Sequence, residues 1–247
     1  MNYFRYNLLK LAILVYFFSN SAEGDTCGFS VKMKQVLHNE GFHRNITYGI
    51  VFINKDDADR WMEEDCIIAL DQKLPAGVYA NPDELGDLRR NDRLNAIPKN
   101  RINIELPTEQ SDPSSVYIVG MVADNKVSLW LPVHARYHKA VTGGGNAKNE
   151  IAPPKMYLRC PDQRLDYCGK AIPPSVTFLC NGSRGKCSWK EIPYTLLTNR
   201  LTWEVPVGDL NHYYSVASLT TLVIVIGSLY LLKVIHEYKI DSTKKRA

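Results

Sequence analysis

Apolar and polar residues alternate in short runs through most of the chain. Phe29 to Leu37, Ile46 to Ile53, Cys66 to Leu70, Arg101 to Leu106, Val116 to Val122, Val127 to Tyr137, Met156 to Arg159, Val176 to Leu179 and Leu201 to Val205 carry this pattern. In an extended chain successive side chains point to opposite faces, so a period of two predicts half-buried strands. Proline and glycine punctuate the gaps. Many strands with few helical patterns predict a mainly β fold, a β-sandwich of jelly-roll-like kind. One helix is expected after Asn81, which caps it, with Pro82 in its first turn and Asp83 and Glu84 where the helix dipole favours negative charge. It should stop by about Leu94. Gly143-Gly144-Gly145-Asn146 predicts a flexible surface loop, since the strand, lysine and helix of a phosphate cradle are missing around it.

Both ends break the alternation. At the N-terminus Arg5 and Lys10 precede the apolar run Leu11 to Phe18 and the small polar residues Ser19 to Ala22, the order of a cleaved secretory signal peptide over residues 1–22. The run is well short of the ~20 residues that span hydrocarbon. Near the other end Tyr213 to Leu232 carries no formal charge, and at ~1.5 Å rise per residue such a helix crosses a bilayer core of roughly 30 Å. Tyr213 and Tyr214 suit one interface. Beyond the span, Lys233, Lys239, Lys244, Lys245 and Arg246 face only Glu237 and Asp241, which predicts a cytosolic tail over 233–247 and type I topology. Lys244 and Lys245 stand fourth and third from the carboxyl terminus, a placement that resembles the dilysine signal for retrieval to the endoplasmic reticulum.

These ends leave a luminal segment over residues 23–212, enough for one large domain or two small ones. The formal net charge of +4 owes much to the tail and forms no basic stripe interleaved with aromatics, which argues against nucleic acid as a partner. Cys27, Cys66, Cys160, Cys168, Cys180 and Cys187 all fall between the two apolar ends, and an even set in an oxidising lumen reads as disulfides. The long gap between the first two and the last four predicts Cys27 paired with Cys66 and the later cysteines paired among themselves. Asn45-Ile-Thr47 and Asn181-Gly-Ser183 are N-glycosylation sequons, consistent with the same compartment.

Signs of catalysis are sparse. His134 and His138 are spaced like a helical metal pair, but Ala135 replaces the glutamate a zincin needs, and Pro132 with alternating flanks favours a strand. Residues four apart on a strand lie ~13 Å apart, too far to share one ion. Asp57-Ala-Asp59 matches a short glycosyltransferase pattern inside an acidic stretch best read as a solvated loop. A transferase using a lipid-linked sugar would also need several membrane helices around the lipid, and this chain offers one. No Gly-x-Ser-x-Gly elbow or redox Cys-x-x-Cys is present. No catalytic, cofactor-binding or metal-ligating residue is therefore nominated.

Four segments together carry a resemblance: Glu40-Gly-Phe-His-Arg44, Leu74-Pro-Ala-Gly-Val-Tyr79 with Asn81-Pro-Asp-Glu-Leu85, Leu131-Pro-Val-His-Ala-Arg-Tyr-His138, and Val205-Pro-Val-Gly208 before the membrane. They resemble the PIG-X family, accessory subunits of glycosylphosphatidylinositol (GPI) mannosyltransferase I. The resemblance implies a non-catalytic subunit of the endoplasmic reticulum membrane without cofactor. Its partner would be a PIG-M-like polytopic catalytic subunit that adds the first mannose to the GPI precursor. Arg44, His134, Arg136 and Tyr137 are then the partner-facing or structural candidates, because polar and aromatic groups in such segments either anchor interfaces or fix strand packing. Small residues at Ala217, Ser218, Thr220, Thr221, Gly227 and Ser228 would let another helix approach the membrane span. The alternatives are a p24-type cargo receptor, which predicts heptads before the membrane and fewer cysteines than are present, and a luminal enzyme acting on glycans or thiols.

Overall fold

The computed structural model of the protein describes residues 29–54, 65–161, 165, 175–180 and 185–244. The described residues fall into two units, those within 29–137 and 148–203, and those within 138–147 and 204–244.

The larger unit is built on two sheets. The first contains β1 (Phe29–His38), β2 (His43–Asn54), β4 (Val78–Tyr79), β7 (Lys126–Ala135) and β12 (Thr195–Leu196), in the order β12-β1-β2-β7-β4. The second contains β3 (Ile67–Leu74), β5 (Asn95–Pro98), β6 (Ser114–Met121), β9 (Lys155–Arg159), β10 (Val176–Leu179) and β11 (Lys186–Glu191), in the order β10-β11-β9-β3-β6-β5. Antiparallel pairing of β2 with β7 in one sheet and β3 with β6 in the other nests early strands against late ones, as a jelly roll does. β8 (Gly145–Ile151) and β13 (Leu201–Val207) form a separate two-stranded ribbon.

The alternating sequence places the core. In β1 the buried residues are Phe29, Val31, Met33 and Gln35; in β2 they are Ile46, Tyr48, Ile50 and Phe52; in β7 they are Val127, Leu129, Leu131 and Val133. The apolar side chains of these sets form the inner face of the first sheet. β3 is buried on both faces, with Ile68, Leu70 and Leu74 on one and Ala69 on the other. Ala69 joins Val119, Tyr157 and Trp189 in an outer cluster against which Ile67, Phe178 and Cys187 pack. Tyr117, Phe178 and Trp189 stack in sequence there, with ring centroids 4.6 and 4.9 Å apart.

The two sheets meet at a buried polar contact: the Tyr48 hydroxyl donates to Gln72 Oε1 at 2.8 Å, and Gln72 Nε2 donates to the carbonyls of Lys73 and Ala152. Burial pushes the Tyr48 phenol well above its ordinary pKa, because the charged form would be stranded in the core. Replacing Tyr48 by Phe orphans a buried acceptor, a loss of about 1–3 kcal/mol. Denaturant unfolding of the full-length chain in detergent should show that loss; an unchanged midpoint would mean that water reaches Gln72.

The turns follow local chemistry. Asp124 and Asn125 take φ of 49° and 58° between β6 and β7, with reciprocal hydrogen bonds between Ala123 and Lys126, as a tight two-residue hairpin requires. The expected helix is α1 (Pro82–Arg90), and the Asn81 side chain accepts from the Asp83 amide as anticipated. It ends before Leu94, because Asn91 caps it and Asp92 turns left-handed at φ 52°.

Several expectations are corrected. Arg101–Leu106 is not a strand: the Asn103 side chain accepts from the Glu105 amide, a local turn that competes with sheet pairing. β5 fills the edge beside β6 instead. β4, β5, β8, β11 and β12 lie outside the expected strands; β4 and β12 are two residues long, and β8 is almost wholly polar, which leaves no apolar period to read. The disulfide prediction fails at Cys66, which bonds to Cys160, while the Cys180–Cys187 bond is a pairing among the later cysteines, as expected. Cys66 precedes β3 and Cys160 follows β9, and the antiparallel pairing Ile67↔Arg159 brings them side by side. Register decides that bond, and sequence distance does not. Cys27 and Cys168 lie outside the described residues, as do the signal segment and Asp57-Ala-Asp59.

In the smaller unit Gly143 and Gly144 have φ of 89° and 64°, and the exposed turn they form is tied down. The Gly143 amide donates to Asp209 Oδ1 at 2.9 Å, the Val141 amide donates to the Gly208 carbonyl, and the Leu210 amide donates to the Val141 carbonyl. Asp209 also accepts from the Asn211 amide, and these two amides hold its carboxyl below the usual carboxylate range. The chain then enters α2 (Tyr213–Lys244). Among the described residues it is the one helix long and apolar enough to cross a membrane. The helix continues past the predicted span end at Leu232, where no glycine or proline interrupts it and Lys233 pairs with Glu237 one turn on. Ser218 and Thr221 donate to the carbonyls of Tyr214 and Ala217, four residues back, so neither hydroxyl needs a partner helix.

Candidate functional site

Strand register assembles the site. β2 pairs with β7 so that His43 lies opposite His134, and β4 pairs with β7 so that Tyr79 lies opposite His134 from the other side. The three form a lateral row across three adjacent strands. Alternation fixes their face, because Leu131 and Val133 on β7 point to the core and His134 points away from it. The rings stack in order: His43 and His134 at 4.3 Å between centroids, then His134 and Tyr79 at 5.2 Å. The Arg136 guanidinium completes the column 4.5 Å from the centre of the Tyr79 ring, an orientation the ring's negative face favours.

α1 closes the row from one side. Asn81 and Pro82 fix the start of that helix, which makes Glu84 its third residue. The Glu84 carboxylate meets both imidazoles, with His134 Nε2 at 2.8 Å from Oε2 and His43 Nε2 at 3.4 Å from Oε1. The side chains of His43, Glu84 and His134 are 55%, 28% and 22% exposed, so the cluster opens to solvent on the His43 side. One ligating atom from each residue lies within 4.8 Å of the others. Two imidazoles and a carboxylate converging this way are a donor set suited to a borderline transition-metal ion.

The four residues nominated from sequence divide into different roles. His134 is in the cluster. Arg136 is 6% exposed and donates from Nη1 to the Leu106 carbonyl at 2.7 Å, and burial lowers its pKa because the cation loses hydration. It supports the row from beneath Tyr79, whose own pKa burial raises. Arg44 points the other way and is half-buried over the Trp203 ring at 5.0 Å, with Nε donating to the Gly41 carbonyl. Tyr137 is 77% exposed and packs its ring 5.3 Å from that of Phe42, forming an aromatic pair on the surface.

Asn45 lies on the same strand and face as His43, opposite Pro132, and is half-buried. Asn181 lies outside the described residues. Lys244 is the last residue of α2, and Lys245 lies outside.

Sequence reasoning missed His43, Glu84, Tyr79 and Phe42 as individuals, although each sits in a segment that carried the resemblance. Three of those segments, distant in sequence, meet here. No linear spacing signals the meeting, because positions 43, 84 and 134 are joined by strand pairing and a helix.

The chain is similar to known proteins over most of its length. The family model described as PIG-X / PBN1 matches residues 39–236, which takes in the whole cluster and most of α2. A rat (Rattus norvegicus) protein named "GPI alpha-1,4-mannosyltransferase I, stabilizing subunit" is 27% identical over 218 residues, covering 86% of this chain and 84% of the rat chain. The human (Homo sapiens) protein of the same name is 26% identical over 212 residues, covering 83% of this chain and 80% of the human one. With the family model matched over most of its length, through both the strand-built unit and the apolar helix, this chain belongs to the PIG-X / PBN1 family.

Proposed function

We propose that this chain is the non-catalytic stabilising subunit of a GPI mannosyltransferase I, held in the endoplasmic reticulum membrane by α2. The observation that carries the reading is the extent of the likeness. Relatives named as that stabilising subunit align with 86% of the chain, and the matching family model runs from residue 39, in the turn after β1, into the apolar helix. The catalytic partner is a PIG-M-like polytopic subunit that adds the first mannose to the GPI precursor. Residues 1–22 direct the chain to the lumen and are removed, 23–212 stay luminal, and 233–247 face the cytosol with Lys244 and Lys245 as a retrieval signal. The six cysteines are oxidised, and Asn45 and Asn181 carry glycans.

A subunit that binds only the folded partner shifts the partner's folding equilibrium by mass action and withdraws it from degradation. The exposed Phe42–Tyr137 pair offers an aromatic anchor of the kind that dominates interfaces. Arg44 and Arg136 act instead as internal supports.

In cells deprived of this chain, the abundance of the mannosyltransferase subunit should fall while its message does not, and re-expression should restore it. Gentle detergent extraction should recover the two together. A purified chain that transfers mannose unaided, or partner levels indifferent to its loss, would sink the reading.

A further inference from the structure

We propose that His43, Glu84 and His134 form a binding site for a divalent transition-metal ion of the zinc class, with three protein ligands and one open position. The inference rests on geometry and donor chemistry and does not depend on the function proposed above. Zinc takes imidazole nitrogen and carboxylate oxygen at ~2.0–2.1 Å in a tetrahedron, which sets neighbouring donors roughly 3.3 Å apart. The two nitrogen–oxygen separations, 2.8 and 3.4 Å, bracket that spacing. Glu84 already draws both Nε2 atoms onto its carboxylate, one to each oxygen, so an ion between them would replace these two contacts with bonds to both nitrogens and to the carboxylate.

The backbone is set for this. His43 and His134 are register partners on neighbouring strands, and Glu84 stands on a helix whose start is fixed by a side-chain cap and a proline. Tyr79 and Arg136 stack behind His134 and support its ring from the far side. The imidazole planes are 19° apart in their stack, so placing one ion in both planes requires the rings to turn about χ2. That torsion is broad and soft, and His43, the more exposed of the two, has room to turn. Three ligands from three elements leave the fourth position to water or to a donor from another protein, as in sites that stay open. A bound ion would cross-link β2, β7 and α1, and its affinity would add to the stability of the unit.

The test uses the full-length chain in detergent micelles, prepared without a histidine tag and stripped with chelator. Zinc is then titrated against a chromophoric competitor, and bound metal is counted by elemental analysis. Wild type should take up one zinc per chain and unfold at a higher temperature when loaded. Glu84→Gln, which keeps shape and helix, and His134→Ala should each weaken binding by at least about tenfold, the least that losing even a supporting group does at such sites. His38→Ala, an exposed histidine elsewhere on the same sheet, should bind as wild type does. The proposal is overturned if wild type binds no zinc, or if the His43→Ala/His134→Ala double variant binds one equivalent with wild-type affinity. Unaltered affinity in Glu84→Gln together with a normal fold would remove Glu84 from the site and with it the three-ligand claim.

Discussion

Removing the bond between Cys66 and Cys160, by replacing both with alanine, should destabilise the strand-built unit by about 4 kcal/mol, because cross-links that close a long loop restrict the unfolded chain most. These residues are 94 apart in sequence. The bond also ties the start of β3 to the end of β9, strands buried in the middle of the second sheet. Replacing Cys180 and Cys187, only 7 apart, should cost less by the same reasoning. Denaturant midpoints of the two double variants, taken without reductant, would rank them. Equal losses would show that native packing around the bonds outweighs chain entropy. Proteolysis of the native protein should release a peptide pair linking Cys66 to Cys160 that separates on reduction.

Truncating Trp189 to alanine should be comparably severe, about 3–5 kcal/mol, the range for removing a fully buried large aromatic. Trp189 is 0% exposed. Phe178 stacks on one face of it at 4.9 Å, and its indole nitrogen donates to the Leu179 carbonyl at 3.2 Å. Its loss opens a cavity under the β10–β11 hairpin and leaves that carbonyl short of a partner. Trp189→Phe should recover much of the packing but not the hydrogen bond. A loss confined to local protease sensitivity near residues 176–191, with an unchanged global midpoint, would mean that the outer cluster unfolds independently of the sandwich.

The two variants also probe function. If the chain works by holding a partner that binds only its folded form, each should lower partner abundance in cells in proportion to its own loss of folded protein.

The sequence by itself was enough for the β class, the capped helix after Asn81, the apolar helix and the family, because each depends on neighbours in the chain. Period-two burial needs only the next few residues, and so does an Asn-Pro helix start. A bilayer selects any apolar run of sufficient length whatever the rest of the fold does. Arg101–Leu106 shows the limit of that logic: its alternation was real, but a side chain two residues away bonded the backbone first. What the tertiary structure alone decided is pairing. Cys66 found Cys160 through antiparallel register, and His43, Glu84 and His134 came together through two strands and a helix separated by dozens of residues. Such meetings depend on which strand lies beside which and in what register. Shifting a strand by one position turns every side chain to its other face, so no count of residues along the chain encodes them.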